Sequence, residues 1–420
     1  MNVVGSQRHT FLQLLAQVRP HWRRDLDLPG RIHTILRRHR SIGARDRRLY
    51  RELLYTAVRH LPWLEGRADE ELVALVAALA AETPATRAFR AAFADPRLME
   101  GLPREALLPA WFRDECPEAF ASPQLEALLS RAPLWLRLQT AEPARIFAEF
   151  ATRSWAWQPT DLLPSAVKVL AEVDVTQTDS FAQGRFEVQD LGSQLLLESV
   201  GIEPGGRWLD ACAGAGGKTL QLARLLGPEG QIDAHDIRPA ALTELTERAR
   251  KAGIPVAAVH DRRTNDSGGH PPSPSFGGTS RPPPQLRTAS IAIVAKPFGL
   301  YDGVLVDAPC SGSGTWRRAP HLKWVTTPGS IARAASIQQT LLAQFAAHVR
   351  PGGRLVYATC SLCRHENAQI LAAFLAAHPD FAPVPFARSF GFKPAAGGLT
   401  IWPAAHDTDG FFVASLRRDS

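Results

Sequence analysis

The chain is poor in cysteine, has no long apolar run and shows no internal repeat, and each shortage closes off a class of protein. Five cysteines in 420 residues, without dense spacing, do not make a disulfide scaffold and suit a reducing cytoplasm. No stretch approaches the run of about 18 apolar residues that a membrane span needs. The opening residues MNVVGSQRHTFLQLLAQVRPHW have neither an unbroken apolar core nor a small-residue cleavage site, so no secretion signal is expected. Without a repeat, a solenoid is excluded. What is present is ordinary for a globular protein: hydrophobic residues make up 45% and charged residues 21%. The length calls for two or three domains. A net charge of +7 and a pI near 9.5 favour a polyanionic partner, with heavy arginine use by a GC-rich genome as the plainer alternative.

Residues 1 to about 125 read as helical. Leu49, Leu53, Ala57 and Leu61 recur at four-residue steps and make one stripe on a helix. Arg37, Arg38, Arg40, Arg45, Arg47, Arg48 and Arg51 crowd into the same region. Such a run is a solvated face or an RNA-backbone contact, and the later motifs favour the second. From about 126 to 195, PLWLRLQT, AVKVLAEVDVTQ and RFEVQD look like strands around a helix near ARIFAEFATRSW, giving a small α/β module. From about 196 to 420 the strands RWLDAC, QIDAHDI, VAAVHD, DGVLVDAP and GRLVYATC alternate with helical patterns such as KTLQLARLL and PAALTELTERARKAG. That alternation implies a parallel sheet covered on both faces. Ligands of such sheets bind beyond the C-terminal strand ends. The Pro-, Gly- and Ser-rich stretch at about 264–290 is expected to be a disordered surface insertion.

The first chemical motif is Asp210-Ala-Cys-Ala-Gly-Ala-Gly-Gly-Lys-Thr219, placed between a strand and a helix. Gly214, Gly216 and Gly217 let the backbone turn tightly and approach a ligand at a helix N-terminus. Cys212 stands where a phosphate loop needs its first glycine, and Thr219 where a dinucleotide fingerprint needs its third, so neither pattern fits. Asp236, ending the next strand, is placed for ribose hydroxyls, and Asp261, ending the third, for the adenine side of a nucleoside. Three strand-end aspartates are otherwise helix caps.

Two further motifs, Asp307-Ala-Pro-Cys-Ser-Gly and Ala358-Thr-Cys-Ser361, each put a cysteine (Cys310, Cys360) at a strand end on the same edge. Two thiols and a carboxylate at a nucleoside site suit the methylation of cytosine C5. That carbon is a poor nucleophile until a thiolate adds at C6, after which a base removes the C5 proton and the thiol leaves. A buried hydrophobe is the plainer fate of a free cysteine, and Cys116 is read that way. Cys360 and Cys363 form a Cys-x-x-Cys, but no second pair completes a metal site, so none is expected.

Together these motifs resemble the RsmB/Sun family of S-adenosylmethionine-dependent RNA cytosine-5 methyltransferases, over about residues 130 to 420. PHLKW, PGGRLVYATCS, the His365-Glu-Asn367 helix start and Asp409-Gly-Phe-Phe412 belong to the likeness. The loop departs from the family in lacking the Ala-Pro that usually precedes Gly-Gly-Lys. The resemblance implies a Rossmann-like class I methyltransferase sheet. It implies Cys360 as nucleophile, Cys310 in adduct release, and Asp307 between cofactor and target base. It also implies that Cys212, Ala213, Gly214, Ala215, Gly216, Gly217 and Lys218 hold the methionine part of S-adenosyl-L-methionine, with Asp236 and Asp261 on ribose and adenine. SIGARDRRLYRELLYTAVRHLPWLEG resembles the NusB-like RNA-binding domain of the bacterial ribosomal-RNA members, and residues 126–195 their small RNA-binding extension. The implied partner is RNA, small-subunit rRNA ahead of tRNA, for a monomer without metal. DNA cytosine methylation and a non-catalytic RNA-binding assembly factor are the rival readings.

Overall fold

The computed structural model describes residues 3–39, 42–171, 173–257 and 286–420. Most of the Pro-rich insertion, and Asp261 with it, lies outside the described residues. The chain divides into two compact units, Met1–Ala132 with Ser311–Ala332, and Pro133–Cys310 with Arg333–Ser420.

The first unit is helical. It opens with α1 (Val3–Val18), α2 (Leu28–Arg38) and α3 (Ala44–Arg59), followed by shorter helices. Asp27 caps α2 by accepting from the Gly30 amide, with proline in the first turn. The stripe Leu49, Leu53, Ala57 and Leu61 is fully buried, with Phe11 and Leu14 of α1 in the same unit's interior.

The stripe does not lie on one helix, however. Helix α3 stops at Arg59 and a separate turn begins at Leu61, because Pro62 has no amide hydrogen for the Val58 carbonyl. The excursion Ser311–Ala332 supplies the missing donors. Trp324 Nε1 donates to the Val58 carbonyl at 2.7 Å, and Lys323 Nζ to the carbonyls of Arg59 and Leu107 at 3.1 Å each. In the same excursion Trp316 is fully buried, its ring 4.5 Å from that of Phe112. Arg317 donates to Ser130 Oγ and to the Arg131 carbonyl.

The second unit holds two sheets. The smaller is antiparallel, in the order β2 (Trp157–Pro159), β3 (Ala166–Val169), β1 (Leu134–Leu138), β4 (Phe186–Val188). Leu136, Ile146, Phe150 and Phe186 form its core with the helix Ala144–Thr152.

The larger sheet has a parallel centre of β5 (Arg207–Asp210), β6 (Gln231–Ala234), β7 (Val256–Ala257), β8 (Ser290–Ile293), β9 (Tyr301–Asp307) and β10 (Val349–Thr359). Across the sheet the order is β10-β9-β5-β6-β8-β7, and β13 (Phe411–Arg418) extends it antiparallel to β10. Strands β11 (Phe381–Pro383) and β12 (Gly398–Ile401) pair with β13. This is the Rossmann-like arrangement expected.

Its central strands are apolar on both faces because helices cover both. Leu305 and Val356 pack with Leu195, Leu220 and Leu245 on one side. Val304 and Val306 pack with Leu342, Phe345 and Leu371 on the other. The neighbour of β6 is β8, four residues at the edge of the insertion that the sequence pattern does not single out as a strand. No helix among the described residues is long and apolar enough to cross a membrane.

Candidate active site

The parallel register brings the strand ends of the second unit to one edge. Asp210 on β5 lies opposite Leu305 on β9 and Ala234 on β6. Ala358 on β10 lies opposite Asp307 on β9, and the Ala308 amide donates to the Ala358 carbonyl. The chain leaving β9 reaches Cys310, the chain leaving β10 reaches Cys360, and their Sγ atoms are 3.3 Å apart. The sequence places both thiols at strand ends; the sheet order makes them neighbours.

Beside them Lys218 Nζ donates to Asp307 Oδ2 at 2.8 Å. Burial works against the Lys218 charge, but the Asp307 carboxylate more than offsets it and holds the ammonium above its ordinary range, with Cys360 adding in the same direction. The same ammonium lies 5.7 Å from the centre of the Phe411 ring. Gly410, next to Phe411, packs against Leu362 so closely that a Cβ there would stand 2.8 Å from its side chain. The C-terminal Asp-Gly-Phe-Phe motif thus backs the cysteine loop.

A buried network fixes that loop. Ser361 Oγ donates to Glu366 Oε2 at 2.6 Å, Asn367 Nδ2 to the Ser361 carbonyl at 2.8 Å, and Thr359 Oγ1 to Asn367 Oδ1 at 2.7 Å. Gln338, on the helix Pro328–Ala346, joins the two cysteine loops. Its Nε2 donates to the Pro309 carbonyl at 2.9 Å and to Glu366 Oε1 at 3.2 Å. Gln338 belongs to no motif, and nothing in a single sequence marks it.

The glycine turn follows β5 and leads into the helix Gly217–Leu226. Gly214 and Gly216 have φ of 53° and 91°, in the region that disfavours a side chain. A Cβ on Gly217 would meet nothing within 4 Å among the described residues, which leave the helix start open on that side. Arg248, another residue without a sequence signal, donates to the Ala215 carbonyl at 2.6 Å and is itself held by Glu187 of β4.

Asp210 is buried; its Oδ2 accepts from Thr219 at 2.7 Å, while Oδ1 accepts no side-chain hydrogen bond among the described residues. Burial, reinforced by the Asp307 charge against the Thr219 hydrogen bond, pushes its carboxyl up to about 7. Burial likewise pushes the Cys212 thiol up to about 12, which leaves it inert as a thiolate. Asp236 sits beside the turn as the sequence places it, but its carboxylate is engaged by the Gly214 amide and the Arg238 guanidinium. The Arg238 hydrogen bond holds it below the usual carboxylate range. Cys363 is buried away from solvent, and among the described residues no three His, Cys, Asp or Glu side chains are grouped to hold a metal.

A family model described as 16S rRNA methyltransferase RsmB/F matches residues 198–417. A probable ribosomal RNA small subunit methyltransferase B from Synechocystis is 34% identical over 248 residues, covering 58% of this chain and 50% of that protein. The protein of the same description from Bacillus subtilis is 30% identical over 335 residues, covering 76% of this chain and 68% of its own. The chain therefore spans about half the length of the first relative and about two thirds of the second. The crystal structure of NSun6 from Pyrococcus horikoshii with SFG superposes with a TM-score of 0.58 at 17% identity, over 77% of this chain and all of that one. At that identity the likeness speaks for the fold alone.

Proposed function

Because the chain belongs to the RsmB/F family of 16S rRNA methyltransferases, we propose that it methylates C5 of a cytosine in small-subunit rRNA, with S-adenosylmethionine as donor. The observation that carries this reading is the pair of thiols, Cys310 and Cys360, on neighbouring strand ends beside Lys218 and Asp307. One nucleophile is enough to add to a base. A second thiol in contact suits a reaction in which the adduct must also be undone.

The residues present fit the donor. The turn from Cys212 to Lys218 offers backbone amides at a helix start for a carboxylate. The buried Oδ1 of Asp210, which accepts no side-chain hydrogen bond among the described residues, suits a cationic amino group. Asp236 borders the turn on the ribose side. When bound, the donor supplies an electrophilic methyl group.

Cys360, as a thiolate near the Lys218 ammonium, adds to C6 of the cytosine and raises electron density at C5. Asp307 orients Lys218 and borders the base. After C5 is methylated, its proton passes to a base, the C6–S bond breaks, and Cys310 serves this elimination by proton transfer. A cytosine presents C5 and C6 this way only when unstacked, so a single-stranded region of the RNA is the target.

The deciding experiment uses labelled S-adenosylmethionine with unmodified small-subunit rRNA and, in parallel, tRNA, followed by nucleoside analysis. The expected result is label in 5-methylcytidine from rRNA, none with Cys360→Ala, and a covalent protein–RNA adduct that forms with Cys310→Ala but not with Cys360→Ala. Label in another nucleoside, or an adduct that depends on Cys310, would sink the reading.

A further inference from the structure

The helical unit contains a cavity of about 590 Å³ between α2 and α3. His33 and Arg37 stand one turn apart on α2, and Arg47, Arg51 and Tyr55 one turn apart on α3, so each helix turns one stripe toward the cavity. Arg48 completes the rim. The floor is apolar, built on the buried Ile32 and Leu36.

The charge around this cavity is concentrated and uncompensated. Several other arginines of the unit meet carboxylates: Arg23 with Glu65, Arg31 with Asp25, Arg67 with Glu71, Arg97 with Asp95. Arg37, Arg47, Arg48 and Arg51 are exposed, and none has a carboxylate partner among the described residues. The carboxylates of these helices are turned to other tasks. Asp46 accepts from Gln7, Glu52 from Thr56 and the Ala81 amide, and Asp27 caps α2. Four unneutralised guanidiniums around one concavity repel one another, and a bound polyanion relieves that repulsion.

The shape narrows the ligand. A bare phosphate needs neither this volume nor an apolar floor, whereas a nucleotide needs both. Guanidiniums grip phosphate in bidentate fashion and also stack on bases, and a tyrosine ring is a further stacking surface. We propose that the cleft between α2 and α3 is a nucleotide-binding site for single-stranded RNA. It takes one unstacked base against Tyr55 and the apolar floor, with the flanking phosphates on Arg37, Arg47, Arg48 and Arg51. The proposal rests on RNA being the substrate, and it gives the helical unit a readout of unpaired RNA separate from the cysteine site.

The test measures anisotropy of a fluorescein-labelled single-stranded RNA oligonucleotide with the full chain across a salt titration. The Arg47→Glu/Arg51→Glu double variant should lose affinity about ten-fold or more. Its slope of log affinity against log salt should fall by roughly 1.4, at about 0.7 for each phosphate that is no longer neutralised. Tyr55→Leu should weaken binding about ten-fold, as removal of one stacked base does, whereas Tyr55→Phe should bind as the parent. The same sequence as a duplex should bind more weakly than the single strand. S-adenosylmethionine binding by calorimetry should be unchanged in all three variants, and hydrogen-exchange protection of α2 and α3 should match the parent, which reports that the helical unit stays folded.

Parental affinity in the double variant, equal binding by Tyr55→Leu and Tyr55→Phe, or a duplex bound as tightly as the single strand each overturns the site. So does tighter binding of poly-glutamate than of RNA. Methylation of RNA by the parent together with unaltered affinity in the variants rejects the cleft alone. Cleft-dependent RNA binding without any methyl transfer rejects the catalytic reading alone.

Discussion

The two units bury charge for different ends. In the helical unit Arg59, His60 and Lys323 are buried, and the two cations are spent on carbonyl oxygens, Arg59 on those of Ser130 and Arg317, Lys323 on those of Arg59 and Leu107. Burial pulls all three down: Arg59 to about 10, His60 to about 3, Lys323 well below the ordinary lysine range. In the second unit the half-buried Lys218 and Asp307 are of opposite sign and face each other at a strand edge, beside the buried Asp210. The first pattern closes a break in a helix; the second gathers an ammonium, two carboxyls and two thiols at one edge. A perturbed ionisable group is a candidate for a reactive site, and its partners help to sort it from a group held for structure.

The largest effect that tests this contrast is structural. Trp316→Ala removes a fully buried indole from the helical unit and should cost about 3–5 kcal/mol, read as early loss of hydrogen-exchange protection in α3 while the strands β9 and β10 stay protected. A loss shared equally by both units would erase the distinction.

The pH dependence should have opposite signs. The unfolded chain protonates His60 near 6.5 but the folded unit only near 3, beside the cations Arg59 and Lys323. Stability of the helical unit therefore falls as pH drops through that window. Asp210 ionises near 3.8 when unfolded and near 7 when folded, so the second unit loses stability as pH rises between those values. Each shift is worth at most about 1.4 kcal/mol per pH unit. His60→Gln should flatten the first slope and Asp210→Asn the second, as followed by hydrogen exchange; matching slopes in the two units would contradict the assignment.

A smaller effect concerns positioning. Gln338→Leu, which frees the Pro309 carbonyl and Glu366, should lower kcat by about 10–100-fold through misplaced thiols while leaving the KM for RNA unchanged. A rise in KM alone would make Gln338 a binding residue. Smallest, Arg248→Leu should weaken S-adenosylmethionine about ten-fold, one charge-assisted hydrogen bond to the Ala215 carbonyl being worth about 1.5 kcal/mol.

Much of the second unit is legible in the sequence because its signals are local. The glycine turn, Asp307, Cys310 and Cys360 all sit in short motifs at the ends of apolar strands, and strand–helix alternation is enough to give the sheet. What stays hidden depends on distant partners. Nothing near Gln338 or Arg248 tells that each holds a loop from another element. β8 is four residues without an alternating pattern. In the helical unit the stripe through Leu61 reads as one helix; it is buried along its whole length, but Pro62 breaks it. Asp236 stands beside the turn as its spacing implies, yet its clamp by Arg238 follows from geometry that spacing does not encode.

The excursion Ser311–Ala332 has a further consequence for the order of synthesis. The rest of the helical unit precedes residue 133, yet Trp316, Lys323 and Trp324 belong to it. Until residue 324 has left the ribosome, the carbonyls of Val58 and Arg59 lack their side-chain donors and Phe112 lacks the indole packed on it. Domains usually mature in the order they are translated. Here the helical unit waits, part-built, for a segment that follows Cys310 in the chain, so the nascent chain completes that unit only after β1 to β9 have been made.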